Sequence, residues 1–161
     1  MITFLKGDAT DPQCDGEMII AHVCNDVGGW GRGFVLAVSA RWKQPETMYR
    51  RWASGTTDEK LNELPFALGR VQFAPVSKNI TVANMVAQHD TKPAKDGTPP
   101  IRYDALKLCL FSVAQRAMLI KASVHMPRIG CGLAGGEWRA VEQIINDELY
   151  DTDVYVYDLE Q

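Results

Sequence analysis

The chain has no C-x-x-C pair: Cys14, Cys24, Cys109 and Cys131 stand far apart, and His22, His89 and His125 are equally scattered. That spacing matches none of the usual zinc-ligand patterns, so no metal is expected, and no other cofactor. A basic surplus is also missing. Lys plus Arg number 17 against 20 for Asp plus Glu, a formal charge of −3, which leaves nothing to hold a nucleic-acid backbone in general. No segment approaches the roughly 20 apolar residues of a membrane helix. The opening MITFLKGDAT has no basic segment followed by an apolar run, so neither a signal peptide nor a membrane anchor is expected. The phosphate-binding pattern G-x-x-x-x-G-K-[ST] is absent, which disfavours a nucleoside triphosphatase. Unclustered cysteines without a leader read as reduced thiols, and the expectation is a soluble, cytoplasmic monomer.

What is present is ordinary globular composition, 46% hydrophobic and 23% charged over 161 residues, enough for one domain spanning 1–161. Residues 2–5 form a short apolar segment. Residues 18–24 (MIIAHVC) are almost continuously apolar, as a strand covered on both faces should be. Helical spacing follows at 34–42, and Pro45 suits the first turn of a second helix carrying Met48, Tyr49 and Trp52. Strands are expected at 69–74 and 80–87, around a turn at 77–79. The Lys-, Asp-, Gly- and Pro-rich stretch 89–100 reads as an exposed loop. A long helix is expected over 101–121, a strand at 123–126, a helix at 137–149 and a last strand at 153–157. This alternation predicts a three-layer α/β/α sandwich with a mixed, mostly parallel central sheet.

Two glycine clusters stand out, Gly28-Gly29-Trp30-Gly31-Arg32-Gly33 and Gly130-Cys131-Gly132-Leu133-Ala134-Gly135-Gly136. Each follows an expected strand and precedes an expected helix. In such sheets ligands bind beyond the carboxyl ends of the strands, so both clusters should meet at one edge. Backbone N–H groups at helix-opening glycine loops make anion sites, and two facing loops would hold a diphosphate. The first cluster does not fit the dinucleotide fingerprint, because its third glycine is misplaced and it follows the second strand rather than the first.

These residues resemble the macrodomain family, which binds ADP-ribose, and the resemblance runs nearly end to end. Lys6-Gly7-Asp8-Ala9-Thr10 looks like the family's G-D-[IL]-T segment, and Ala21-His22-Val23-Cys24-Asn25 with the first glycine cluster looks like its first substrate loop. Met126-Pro127-Arg128-Ile129-Gly130-Cys131-Gly132-Leu133 looks like its second, diphosphate-gripping loop, and Val156-Tyr157-Asp158-Leu159 resembles its last strand. The second loop is most similar to the terminal ADP-ribose–protein glycohydrolases. The run from His22 through Asn25 to Gly33 is similar to that of the ADP-ribose-1″-phosphatases.

The resemblance implies ligand contacts at Asp8 and Ala9 (adenine side), Asn25, Gly29, Trp30, Gly31, Arg32, Gly33 and Phe34 (first loop), and Arg128, Ile129, Gly130, Cys131, Gly132, Leu133, Ala134 and Gly135 (second loop). Tyr157 and Leu159 fall near the adenosine. Each position has a plainer structural role to weigh: Asp8 as a cap, Asn25 as a turn former, His22 as an interior histidine. Trp30, in a glycine loop, is expected outside the core. Cys131 is expected at a helix N-terminus, where a thiol pKa falls, yet it reads as a packing residue. The glycohydrolase lysine falls near Val86 or Ala87 and its aspartate on Ala134, so neither group is present; the nearest substitutes are Lys92 and Glu137. Arg32 stands where the other hydrolase pattern has an acid. The expected activity is removal of mono-ADP-ribose from acidic side chains of proteins, with Asn25, Asp26 and His22, in that order, orienting or deprotonating water. The alternatives are phosphatase action on ADP-ribose 1″-phosphate and non-catalytic binding of ADP-ribose or of proteins carrying it.

Overall fold

A computed structural model describes residues 1–56, 59–61 and 63–160 of the chain. Its strands are β1 (Ile2–Lys6), β2 (Met18–Asn25), β3 (Val71–Pro75), β4 (Ile80–Gln88), β5 (Ser123–Met126) and β6 (Val154–Asp158). Its helices are α1 (Phe34–Arg41), α2 (Gln44–Ala53), α3 (Tyr103–Ile120) and α4 (Trp138–Glu148), with a 3-10 turn at Glu59–Leu61. The sheet order is β1-β6-β5-β2-β4-β3. Every pairing is parallel except β3 with β4, so the expected mixed, mostly parallel sandwich is the fold observed. No described helix is long and apolar enough to cross a membrane.

The nearly unbroken apolar run of β2 has two buried faces, as its composition required. Ile19 and Ala21 pack with Ala83, Met85 and Ala87 of β4 beneath α3 and α4, in a core that includes Leu106, Leu110, Val113, Val141 and Ile145. Ile20 and Cys24 face the other way, onto Val35, Val38 and Tyr49 of α1 and α2. Alternating side chains of one strand therefore hold both helix layers.

Two departures from the sequence reading shape the site. Strand β2 extends to Asn25 and β4 to Gln88, and the register slips between Cys24 and Asn25, so that Asn25 pairs with Gln88. Such a bulge re-aims the side chains at a strand end. Helix α3 starts at Tyr103 rather than at 101, because the backbone there is engaged elsewhere. Ile101 bridges to Gln88 and gives its N–H to Ala134 O at 3.0 Å, while Arg102 N–H bonds Ala87 O at 2.9 Å. The 89–100 loop is thus tied at its base between the two glycine clusters.

Candidate functional site

A cleft of about 500 Å³ opens between the two glycine clusters, beyond the carboxyl ends of β2, β4 and β5. That volume is in the range of small-molecule sites. The structure brings fourteen of the sequence-predicted residues to its wall: His22, Asn25, Gly29, Trp30, Gly31, Arg32, Gly33, Phe34, Arg128, Ile129, Gly130, Gly132, Leu133 and Ala134. It adds Gln88 and Thr91, which the sequence reading missed. Gln88 reaches the mouth through the β-bulge, a signal invisible without knowing the strand register. Thr91 arrives because the 89–100 loop folds back against Gly29, and its methyl lies 3.4 Å from where a Cβ on Gly29 would sit.

The first loop is built around the Asn25 carboxamide. Its Oδ1 accepts from the N–H of Val27 (3.0 Å), the N–H of Gly29 (2.9 Å) and the hydroxyl of Tyr49 (3.0 Å), and its Nδ2 donates to Gly29 O at 2.9 Å. Most of its hydrogen-bonding capacity thus goes into folding the loop. Trp30 corrects the sequence reading. It is only 3% exposed, its indole N–H donates to Ser39 Oγ at 2.7 Å, and its ring packs against Tyr49 and His22 at 5.3 and 5.4 Å. The loop carries its tryptophan inward because α1 and α2 leave an aromatic slot on that face of the sheet.

In the second loop the glycines have different reasons. Gly135 has φ of +72°, and a Cβ there would lie 2.9 Å from Pro99 Cβ, so the position needs glycine for conformation and for packing. At Gly136 a Cβ would meet Gly130 O at 2.5 Å. A Cβ at Gly132 meets nothing within 4 Å. The turn closes through Gly135 N–H to Gly132 O and Gly136 N–H to Gly130 O, at 3.0 and 2.7 Å, while the N–H groups of Gly132, Leu133 and Ala134 have no backbone acceptor among the described residues. Free donors beside an open glycine are what an anion requires.

Arg128 is the cation at the other end of this loop. Its guanidinium grips Asp158 with two hydrogen bonds, 2.9 and 2.8 Å, and lies over the rings of Phe4 and Trp138 at 4.8 and 4.6 Å. The Asp158 hydrogen bond holds the Arg128 pKa above its ordinary value, and the same contact holds the Asp158 carboxyl below its own.

Seven predicted residues lie outside the cleft wall: Asp8, Ala9, Asp26, Cys131, Gly135, Tyr157 and Leu159. Asp8 Oδ1 accepts from both the N–H (2.8 Å) and the hydroxyl (2.7 Å) of Thr10, and Arg41 stands 3.6 Å from Oδ2. Desolvation alone would raise this carboxyl, but Thr10 and Arg41 together hold it below its ordinary value. Ala9 is buried. The Tyr157 hydroxyl lies 2.7 Å from His125 Nδ1, and Leu159 is exposed. Cys131 does not meet the expectation of a lowered thiol pKa: burial raises it, with the Arg128 charge opposing. It is not at the start of α4, which begins seven positions later. Its Sγ donates instead to Ile129 O at 3.3 Å.

His22 is an interior histidine. It is 1% exposed, and its Nε2 lies 2.6 Å from Asn84 Oδ1. Burial lowers its pKa to about 4, although the Asn84 contact opposes the shift. Asp26 is also engaged, with Oδ2 2.7 Å from His89 Nδ1 and Oδ1 accepting the Asp90 N–H at 2.8 Å. Val86 and Ala87 are fully buried, so the strand-end position that faces the cleft is Gln88. Lys92 and Glu137 are exposed and lie outside the wall. Among the described residues no Asp or Glu side chain lines the cleft; its charged groups are Arg32 and Arg128.

No protein-family model matches the chain. It is 32% identical over 162 residues to the zebrafish (Danio rerio) chromodomain-helicase-DNA-binding protein 1-like, covering 97% of this chain but spanning only 16% of that protein's length. Among solved structures, a protein of unknown function from Bacteroides thetaiotaomicron is 52% identical, with a TM-score of 0.90 and coverage of 99% of this chain and 98% of that one. A macrodomain protein from Streptomyces coelicolor is 49% identical, with a TM-score of 0.82 over 98% of this chain and 99% of that one. At the level of fold alone, Thermosipho africanus DarTG, solved in complex with ADP-ribose, matches at 18% identity and a TM-score of 0.64, covering 88% of this chain and 38% of that one.

Proposed function

The chain belongs to the macrodomain family, and on that footing we propose that its cleft binds ADP-ribose and removes mono-ADP-ribose from acidic side chains of modified proteins. The observation that carries the binding reading is the pair of glycine loops facing each other across one cleft, with N–H groups at Gly132, Leu133 and Ala134 that lack a backbone acceptor among the described residues on one wall. A diphosphate held there needs no excess of basic residues, which agrees with the net charge of −3. Arg32 and Arg128 supply the cationic complement. The first loop, which Asn25 fixes in shape, takes the distal ribose. Asp8 and the end of β6 take the adenosine.

The hydrolytic reading rests on the lability of an ester at the C1″ carbon of ribose, where placing one water beside a held diphosphate suffices. A second reading, a module that binds ADP-ribose or its protein conjugates without turnover, is favoured by the lack of any carboxylate on the described cleft wall. Calorimetry with ADP-ribose tests the binding step, with expected dissociation constants in the micromolar range. Incubation with ester-linked ADP-ribosyl protein, and separately with ADP-ribose 1″-phosphate, separates the readings. Free ADP-ribose from the first substrate supports the hydrolase, phosphate released from the second supports a phosphatase, and binding without product supports the module.

A further inference from the structure

The end of β4 carries a polar side chain that the loops do not use up. Gln88 lines the cleft and is half-buried. Its backbone is held on both sides: it pairs with Asn25 across the bulge, its carbonyl accepts the Asp26 N–H at 2.9 Å, and it bridges to Ile101. The side-chain amide has a single workable orientation. Its Nε2 donates to Asp90 O at 2.8 Å, and the reversed amide would set oxygen against oxygen. Asp90 in turn is fixed, in a turn with φ of +62° whose N–H bonds Asp26 Oδ1 at 2.8 Å. The nitrogen of Gln88 is therefore committed, and its Oε1 receives no donor from the described residues.

The rest of the wall shows what that acceptor suits. Asn25, its neighbour across the bulge, already takes three donors on Oδ1. No described Asp or Glu lines the cleft. On the second loop the free groups are the N–H donors of Gly132, Leu133 and Ala134, which match the oxygens of a diphosphate. An amide oxygen has nothing to give a phosphate, which only accepts, but it pairs well with a hydroxyl. Donors thus stand on one loop, and an uncharged acceptor stands beside the other, next to Asn25 and Thr91.

We propose that Gln88, with its amide pinned on Asp90, accepts a hydroxyl of the distal ribose through Oε1 and so makes the site prefer ADP-ribose to ADP. The proposal rests on the binding reading above, in which the first loop takes that ribose. Gln88 is a specificity-determining residue in this role: it gains a partner only when a sugar follows the diphosphate.

Calorimetry with ADP-ribose and with ADP at pH 7.5, on wild type, Gln88→Met and Gln88→Glu, tests it. Methionine keeps the length of the side chain and removes both polar atoms. Glutamate keeps an acceptor and loses the donor to Asp90, and any repulsion of the diphosphate falls on both ligands alike. The ratio of the two affinities should favour ADP-ribose in wild type, fall about tenfold in Gln88→Met, and be retained in Gln88→Glu. Equal losses in the two variants would overturn the proposal and make Gln88 only a tie to the Asp90 turn. A wild-type ratio in Gln88→Met, or wild type that binds the two ligands equally, would overturn it too while leaving diphosphate binding intact. Wild-type protein that binds neither ligand would overturn the binding reading itself.

Discussion

His22 donates its Nε2–H to the carboxamide oxygen of Asn84 across 2.6 Å, and the direction of that hydrogen bond is set two side chains away. Gln72 Nε2 donates to Met48 O and Glu63 Oε2, so its oxygen faces Asn84. Asn84 Nδ2 then donates to Gln72 Oε1 and Pro45 O, so its own oxygen faces His22. Each amide has one orientation that pairs every atom, and the chain of amides fixes the histidine as the neutral Nε2–H tautomer. Nitrogen-15 NMR of the imidazole should show that tautomer at pH 7; an Nδ1-protonated ring would contradict the chain.

The same burial makes stability depend on pH. Folding lowers the His22 pKa from 6.5 to about 4, so the unfolded chain binds more protons between those values. The contribution is complete above about pH 6.5 and is lost as pH falls towards 4, at up to about 1.4 kcal/mol for each unit. His125, also lowered to about 4 by burial, adds in the same direction. The thermal midpoint should drop steeply between pH 6.5 and 4 and be nearly flat from 7 to 8.

Asn25→Ala should damage the fold and the binding together. The substitution strands the Gly29 N–H and carbonyl and the Val27 N–H in a partly buried loop, at a cost of about 1–3 kcal/mol. Chemical denaturation and calorimetry should register parallel losses. A variant of wild-type stability that lost only turnover would return Asn25 to the role of orienting water.

Gly132 and Gly135 should separate under substitution. Gly132→Glu projects into open space and should abolish ADP-ribose binding with little change in thermal midpoint. Gly135→Glu must adopt φ of +72° against Pro99, and should lower the midpoint as well, by an amount equivalent to about 1–3 kcal/mol. Equal midpoints for the two variants would mean that the Pro99 contact does not hold the loop.

Asp8→Ala should weaken ADP-ribose binding by about 1–3 kcal/mol, the cost of leaving the adenine amine without its acceptor. Within the protein the substitution removes a local turn to Thr10 and a partly exposed pair with Arg41, so the stability change should stay under about 1 kcal/mol. Unchanged affinity would place the adenine elsewhere.

The order of strands and helices was legible in the chain because burial imposes a period on it. The apolar run at Met18–Asn25 can be stable only between two layers, and glycine at the ends of such strands marks where backbone must turn tightly. Those local constraints put Gly29, Gly31, Gly132 and their neighbours at one edge of the sheet. What the sequence did not carry was the fate of polar groups, which depends on partners distant in the chain. His22 carries its proton on Nε2 because Asn84 and Gln72 sit across the sheet from it, and Asp26 is engaged because the 89–100 loop returns His89 to it. Trp30 went inward because Tyr49, on α2, left it a slot, and Gln88 reached the cleft because β2 and β4 slip by a residue at their ends. Backbone conformation answers to neighbours in sequence and can be read from them; hydrogen-bond partnership and register answer to neighbours in space, which only the folded chain supplies.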